Sequence, residues 1–411
     1  MKKKFKLPLW GTLVIILILS LFNIYSKLST YWIGAWNGTA VDLTFFRLGY
    51  KNQSLRTVVT STFGGSKERI KISNEFGREP IHIGEASFAL VNPQGILYKN
   101  SQRELTFNGK STITIEKGAF VWSDPVEVPI KTLDRVAVTI YFPDEVKNVT
   151  GAWGGGESYF SQKGNFTKSM DTKRDFKPVS TNGIPKIAPF LTSIEVRTSR
   201  ENRSIVAFGD SITTLSWPDY LVKKLKNRNV ENLSVVREAI GGNRILHDTE
   251  NQLQGVFGPS GISRFEKAIT DHKGVKYVIV LQGVNDIMHP APGGPAPASE
   301  IVSKDEIVSA LEKYTELAHK YNLKIYGGTI MPFEGYEVYT DDLDVKRREV
   351  NEWIRTSGKF DGIIDFDKAM ADPNNPSRLL PKYDSGDHLH PSDAGGEAMA
   401  EAIDLKLFYT D

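Results

Sequence analysis

Residues 204–213 read Ser-Ile-Val-Ala-Phe-Gly-Asp-Ser-Ile-Thr, and this stretch decides the fold of the second half of the chain. The apolar run Ile205–Phe208 is followed directly by Gly209, Asp210 and Ser211. A short apolar run that ends in Gly and small polar residues is typical of a strand in a parallel sheet covered on both faces. Ligands bind outside the carboxyl ends of such strands, so Ser211 is predicted at a corner that faces a crevice. Taken alone, Gly-Asp-Ser also fits a plain turn, and its role depends on what else the chain supplies.

Strands and helices alternate from residue 201 to residue 411, which is the pattern of βαβ units. With right-handed crossovers, the units predict a three-layer α/β/α sandwich around a parallel sheet. The predicted strands are 204–208, within 230–239, 276–281, 323–330 and 362–366, and the predicted helices are 217–227, 262–272, 304–321, 341–357 and 392–405.

Four polar loops of this predicted domain can meet at one edge of the sheet. The first contains Ser211, and the second contains the pair Gly241-Gly242. The third contains Asn285-Asp286, and the fourth reads Asp-His-Leu-His-Pro over residues 387–391. Loops after neighbouring parallel strands converge on one crevice, so these side chains are expected to form one site.

The ordered blocks Gly-Asp-Ser at 209–211, the glycine pair, Gly283-x-Asn285-Asp286 and Asp387-x-x-His390-Pro391 resemble the SGNH, or GDSL-type, hydrolase superfamily. The resemblance spans residues 201–411 and implies the flavodoxin-like fold and serine-esterase activity of that superfamily. In one departure from its pattern, Thr214 and Leu215 stand where the superfamily often has a further glycine.

The resemblance implies a catalytic group of Ser211, Asp387 and His390. A serine hydroxyl is a weak nucleophile until a base takes its proton, and His390 is the candidate base. Asp387 lies three residues earlier, so on one turn its carboxylate can accept a hydrogen bond from His390 Nδ1 and fix the ring. His388 is a competing base, although on a helical turn it would face elsewhere.

The resemblance also implies an oxyanion hole formed by Ser211, Gly242 and Asn285. Two donors would be the backbone N–H groups of Ser211 and Gly242, and the third the side-chain amide of Asn285. These donor types suit a developing oxyanion, because glycine can turn its N–H inward and asparagine donates without charge. Asp210 and Asp286 are expected to brace their loops by local hydrogen bonds.

The first part of the chain, residues 31–200, shows period-two patterning broken by Gly, Pro and Asn turns, which predicts an antiparallel β-sandwich. Strands are expected at 54–63, 69–73, 81–83, 87–91, 111–115, 126–130, 135–142 and 190–196, and a long loop at 161–182. The stretches Trp-Ile-Gly-Ala-Trp (32–36) and Ser-Asn-Glu-Phe-Gly (73–77) resemble the β-sandwich that precedes the hydrolase domain in one bacterial branch of the superfamily. Trp32, Trp36, Trp153 and Tyr159 are either core aromatics or sugar-stacking surfaces.

Residues 1–30 are predicted to be a membrane anchor. Four lysines in the first six residues precede Leu7–Ser26, an uncharged run long enough to span a bilayer. The positive flank places the N-terminus inside, so the catalytic part is expected outside the cell membrane. The alternative is a signal sequence and a secreted protein, although no A-x-A-like cleavage site is obvious.

The composition of the chain argues against a nucleic-acid-binding protein and excludes sites that depend on cysteine. The chain has 411 residues, 24% charged, with a net charge of +2 and no cysteine. No basic stripe indicates a nucleic-acid partner. Without cysteine there is no disulfide, thiolate zinc site or Cys nucleophile, and no metal or other cofactor is expected.

The sequence therefore predicts an outward-facing serine esterase that removes a short acyl group, such as acetyl, from a carbohydrate or cell-surface glycan. Three alternatives stay open. One is a lipase-like acylhydrolase of longer acyl esters, another is a surface glycan-binding protein with a vestigial hydrolase domain, and the third is a structural envelope protein.

Overall fold

The computed structural model describes residues 30–179, 186–249 and 255–409. The predicted anchor Leu7–Ser26 lies outside these ranges. Among the residues that are described, no helix is long and apolar enough to cross a membrane.

The first part of the chain is β-rich, as predicted. Its elements are β1 (Thr30–Asn37), β2 (Val41–Asp42), β3 (Gln53–Thr60), β4 (Glu68–Ser73), β5 (Ile81–Ile83), β6 (Glu85–Leu90), β7 (Arg103–Leu105), β8 (Ile113–Ile115), β9 (Phe120–Trp122), β10 (Arg135–Phe142), β11 (Thr150–Trp153), β12 (Gly156–Lys163), α1 (Thr172–Asp175), β13 (Phe176–Pro178), β14 (Ile187–Pro189) and β15 (Leu191–Ser199).

Two antiparallel sheets form the sandwich. One has the order β1-β15-β4-β9, and the other has the order β13-β12-β3-β10-β6-β7. Apolar residues of both sheets, such as Ile70 on β4 and Val136 on β10, pack into one buried core. Small sheets β14-β11-β2 and β5-β8 complete this part.

Two expectations for the sandwich were wrong. Residues 126–130 form only isolated bridges, at Val126 and Ile130, because Pro125 and Pro129 lack the N–H that a continuous ladder needs. The expected loop at 161–182 instead contains the end of β12, the helix α1 and strand β13. Strand β12 was not predicted because its buried positions include Ser158 and Ser161, which interrupt the apolar alternation of a strand. These serines form hydrogen bonds rather than apolar contacts.

The second part of the chain forms the predicted parallel sheet. Its elements are β16 (Arg203–Gly209), α2 (Ser211–Thr214), α3 (Trp217–Asn227), β17 (Leu233–Ala239), α4 (Gly261–Thr270), β18 (Val275–Leu281), α5 (Val284–Met288), α6 (Lys304–Lys320), β19 (Lys324–Gly328), α7 (Asp341–Thr356), β20 (Gly362–Ile364), α8 (Phe366–Met370), β21 (Ala371–Asp372), β22 (Asn375–Leu379) and α9 (Asp393–Ala402).

The five-stranded sheet has the order β17-β16-β18-β19-β20, and all its pairs are parallel. This is the flavodoxin-like order, with the second strand outside the first. Helix α3 packs against α9, and α4 packs against α6, which in turn packs against α7. The hydrophobic pattern did not predict the short helices α2, α5 and α8 or the hairpin β21–β22. Segments of five residues or fewer are too short to show a clear helical or strand period.

The two parts of the chain touch along β1 and β17, the edge strand of the parallel sheet. Gly34 on β1 faces Val236 so closely that a Cβ at this position would overlap the valine. Asn37 Nδ2 donates to the carbonyl oxygen of Arg237 at 3.1 Å and to Glu238 Oε1 at 2.7 Å. The division into domains 31–200 and 201–411 stays a prediction, but the sandwich is in direct contact with the parallel sheet.

Candidate active site

Ser211 is the first residue of α2, directly after the carboxyl end of β16. Strand β16 lies between β17 and β18, where chain connections leave in opposite directions, and this switch point is where ligands bind in open α/β sheets. The Asp210 carboxylate caps the turn by accepting a hydrogen bond from Ile212 N at 3.0 Å.

The His390 ring has a partner on each side. Its Nε2 lies 2.8 Å from Ser211 Oγ, and its Nδ1 lies 2.6 Å from Asp387 Oδ2. These are normal hydrogen-bond distances, and together they form a continuous chain from carboxylate through imidazole to hydroxyl. The structure thus brings together the three residues predicted from the sequence, of which Ser211 and His390 are 179 residues apart in the chain.

The Asp387 carboxylate is fixed by its own loop. Its Oδ1 accepts hydrogen bonds from the backbone N–H groups of Leu389, at 3.0 Å, and His390, at 2.8 Å. Partial burial raises the pKa of this carboxyl, but the hydrogen bonds from His390 outweigh burial and hold the pKa well below its usual range. The group is therefore ionised at neutral pH and can stabilise a positively charged His390 ring.

The competing histidine points elsewhere. His388 has a left-handed backbone, with φ +68°, and its Nδ1 lies 2.6 Å from Asp384 Oδ2. Its ring packs on Gly335, where an added Cβ would crowd it. Of the two histidines in this loop, His390 is the one in contact with Ser211.

Gly242 and Asn285 come from the loops after β17 and β18. Gly242 has φ +70°, a conformation that glycine adopts without steric cost. Asn285 is buried on α5, and its Nδ2 donates to the Asn243 carbonyl oxygen at 3.0 Å. Since a side-chain amide has two N–H groups, Asn285 keeps one for another acceptor. The two predicted oxyanion donors therefore belong to loops that are hydrogen-bonded to each other.

A framework that the sequence analysis missed supports these loops. The Arg264 guanidinium on α4 is buried and donates to Asn243 Oδ1 at 3.0 Å, Glu238 O at 3.1 Å and Gly209 O at 2.8 Å. Burial lowers the pKa of this guanidinium to about 10, so it stays charged at neutral pH. The sequence pattern does indicate that Arg264 is buried. It lies on the apolar face of its helix, four residues before the buried Ala268.

The two acidic residues beside Ser211 and Asn285 are fully buried. Asp286 accepts hydrogen bonds from Ile245 N at 2.8 Å and Leu246 N at 3.1 Å, which holds the Gly242 loop. Burial raises the pKa of the Asp286 carboxyl to about 6 and that of Asp210 to about 7. Both residues brace backbone, which is the role expected of them.

Two of the aromatic side chains considered for sugar stacking are buried core residues. Trp36 donates its indole N–H to Gly155 O at 3.1 Å, and Trp153 donates to Val256 O at 3.2 Å. Trp153 also packs on Gly241, next to the predicted oxyanion glycine. Both rings are buried and have no free face for a sugar. Trp153 joins the sandwich core to the Gly242 loop.

Comparison with known proteins finds a family match for the second part of the chain. Residues 207–398 match the model of the GDSL-like Lipase/Acylhydrolase family. No curated protein matches the chain. Similar solved structures include the acetylxylan esterase Axe2 from Geobacillus stearothermophilus, with 20% identity over 52% of this chain and 97% of that one and a TM-score of 0.39. Another is a GDSL-like lipase from Bacteroides thetaiotaomicron, with 17% identity over 50% of this chain and 88% of that one and a TM-score of 0.38.

The family match confirms the resemblance that the four sequence blocks predicted. The chain carries a GDSL-like lipase/acylhydrolase domain, a hydrolase that acts on ester bonds.

Proposed function

We propose that this protein is a serine esterase that works through an acyl-enzyme, with Ser211 as nucleophile, His390 as base and Asp387 as the group that orients His390. The observation that carries the proposal is the His390 ring, hydrogen-bonded to Ser211 Oγ at 2.8 Å and to Asp387 at 2.6 Å. A nucleophile within hydrogen-bond reach of a base, itself oriented by a third group, is the arrangement needed to activate a hydroxyl.

The reaction proceeds in two halves. Ser211 Oγ attacks the ester carbonyl carbon while its proton moves to His390 Nε2. The tetrahedral intermediate collapses, the C–O bond to the alcohol breaks, and His390 returns the proton to the departing alkoxide. In the second half His390 takes a proton from water, the hydroxide attacks the acyl-enzyme, and Ser211 leaves with that proton, which releases the carboxylic acid.

The oxyanion of each intermediate is stabilised by the N–H groups of Ser211 and Gly242 and the side-chain amide of Asn285. Support comes from the amide of Asn285, which uses one N–H on Asn243 O, and from the left-handed backbone of Gly242. Donors fixed in advance lower the barrier most, because they need no reorganisation as charge develops.

We infer that the acyl group is short, such as acetyl. The Phe257 ring fills the space beside Gly242, where even a Cβ would overlap it. His289 packs against Phe257 with ring centroids 5.4 Å apart, and burial lowers the pKa of its imidazole to about 4. The packing of these rings beside the proposed oxyanion glycine supports a short acyl group. Activity that rises from acetyl to octanoyl p-nitrophenyl esters would instead favour a lipase-like acylhydrolase.

The acyl group is carried by a carbohydrate outside the cell, and Leu7–Ser26 holds the enzyme at the membrane. The run of lysines followed by the uncharged segment supports the membrane anchor and its orientation. A protease added to intact cells that express the full chain should release the catalytic domain from the membrane. Protection of that domain until the cells are lysed would contradict the orientation, and recovery of the intact domain in the medium would favour secretion.

Covalent labelling tests the proposed nucleophile. A fluorophosphonate probe should modify the full chain on the peptide that contains Ser211, because only an activated serine reacts rapidly. The Ser211→Ala and His390→Ala variants should stay unlabelled. Labelling of Ser211→Ala to the wild-type extent would refute the assignment.

A further inference from the structure

A cavity of about 350 Å³ lies between the sandwich and the loops that carry Ser211 and His390. The sandwich side includes Arg135, Glu157 and Lys186, and the hydrolase side includes Thr214, Asp219 and Pro391. Ligand sites are commonly found in cavities of this size at domain interfaces.

The cavity is lined by chain neighbours of two residues of the proposed catalytic group. Thr214 belongs to the same helical turn as Ser211 and donates its hydroxyl to Ser211 O at 2.7 Å. Pro391 directly follows His390. The cavity thus lies within one helical turn of Ser211 and one residue from His390, and its lining consists of neighbours of these two residues rather than the residues themselves.

The sandwich reaches the nucleophile turn through a glycine pair. Gly154 and Gly155 have φ values of +70° and +67°, and a Cβ on Gly154 would overlap the carbonyl oxygen of Thr214. A Cβ on Gly155 would overlap the Arg237 guanidinium, which itself donates to Thr213 O at 3.2 Å. Only glycine permits this close approach, so the sandwich wall is built against the turn that carries Ser211.

Paired charges line the sandwich side of the cavity. Glu157 accepts hydrogen bonds from Arg135 at 2.9 Å, Lys186 at 3.2 Å and the Tyr159 hydroxyl at 3.0 Å. On the opposite side, Asp219 pairs with the buried Arg237 at 3.0 Å. The walls thus offer many hydrogen-bonding groups with little net charge, beside apolar surface from Val58, Val59 and Leu215.

We propose that this cavity is a binding subsite for sugar units next to the one that carries the acyl group, so that the sandwich selects oligosaccharide esters. The inference rests on the proposed function and adds to it the substrate class and the surface that recognises it. A neutral polyhydroxylated chain matches polar groups interspersed with apolar patches. A polyanion would need unpaired cations, and a fatty chain would need a continuous apolar lining.

The test measures how kcat/KM depends on the size of the substrate, for the full-length wild type and for variants in the sandwich wall. The substrates are acetylated xylotetraose and cellotetraose, the matching acetylated monosaccharides, and p-nitrophenyl acetate. For at least one sugar, wild-type kcat/KM should be about 10-fold higher on the tetrasaccharide than on the monosaccharide, the effect of one or two added hydrogen bonds to charged groups.

Three variants should lower that ratio toward one. Arg135→Ala combined with Lys186→Ala removes both cations, and Lys186→Ala alone tests an exposed side chain whose loss leaves the core intact. Thr60→Trp fills the cavity from the end of β3. The control Lys163→Ala changes an exposed lysine on β12 outside the cavity, and it should retain the wild-type ratio.

The outcomes separate this inference from the function on which it rests. If neither sugar shows a tetrasaccharide preference while p-nitrophenyl acetate hydrolysis depends on Ser211, only the subsite is refuted. The subsite is also refuted if all variants lower the kcat/KM of every substrate by the same factor. Hydrolysis of p-nitrophenyl acetate that does not depend on Ser211 refutes the proposed function and the subsite together.

Discussion

The Arg264 guanidinium donates a hydrogen bond to the Gly209 carbonyl oxygen, 2.8 Å away, at the end of the strand that leads to Ser211. The same side chain holds Asn243, whose backbone carbonyl oxygen accepts from Asn285. One buried cation thereby joins the loops after β16, β17 and β18.

Arg264→Ala should destabilise the fold and lower activity together. The substitution removes a charged donor from buried acceptors on Gly209, Glu238 and Asn243. Each hydrogen bond to a charged group contributes about 1.5–3 kcal/mol. We expect the free energy of unfolding in urea to fall by at least about 3 kcal/mol. Arg348→Ala is the control, because that side chain is 59% exposed in its ion pair, which predicts a change within about 1 kcal/mol. Equal small losses in both variants would contradict the framework.

Gly242→Ala should reduce kcat for p-nitrophenyl acetate by about 10²-fold, the effect of displacing one oxyanion donor. The added Cβ overlaps Phe257 and the backbone has φ +70°, so the loop must move. Gly109→Ala is a matched control, since Gly109 has φ +76° but no atom within 4 Å of an added Cβ. That variant should lose about 1–2 kcal/mol of stability and keep its kcat. Wild-type kcat in Gly242→Ala would remove this glycine from the oxyanion site.

The two Asp–His pairs of the 384–390 loop should respond very differently. Asp387→Asn replaces the acceptor that fixes the His390 ring and should lower kcat by several orders of magnitude, as misorienting a base does in other serine hydrolases. Asp384→Asn makes the same chemical change beside His388 and should alter kcat no more than a few-fold. If Asp384→Asn proved the more damaging, His388 would be the base and the proposed assignment would fail.

Asp210 should make the fold less stable as pH rises. Because burial raises its pKa in the folded chain from 3.8 to about 7, the folded state keeps a proton that the unfolded state releases above pH 4. Its contribution to stability is therefore full below about pH 4 and is lost as pH rises toward 7, at up to about 1.4 kcal/mol per pH unit. Asp210→Asn can still cap Ile212 and removes this titration. The free energy of unfolding of the variant minus that of the wild type should increase between pH 4 and pH 7. A difference that stays constant over this range would contradict the prediction.

The catalytic half of the chain was the more predictable from sequence. Buried parallel strands such as Val275–Leu281 are short apolar runs, and α3 was predicted with its observed bounds, 217–227. The Asp-x-x-His spacing also predicted that Asp387 and His390 share one turn. These features succeed because the signal lies within a few consecutive residues.

The sandwich and the support of the site were less predictable, because they depend on contacts between distant residues. Strand β12 contains buried serines whose hydrogen-bond partners lie far away in the chain, so its sequence resembles a loop. Gly154 and Gly155 have positive φ values that allow close contact with Thr214 and Arg237. No local pattern reveals which distant backbone a glycine must accommodate.

The most direct test of the central claim is hydrolysis of p-nitrophenyl acetate by the full-length wild type beside Ser211→Ala. We predict that the substitution lowers kcat by at least roughly 10³-fold, because the nucleophile, base and orienting group act as a unit. The variant should unfold at the wild-type temperature, since only a half-buried hydroxyl is removed. Equal hydrolysis by both proteins would contradict the account and show that Ser211 is not the nucleophile.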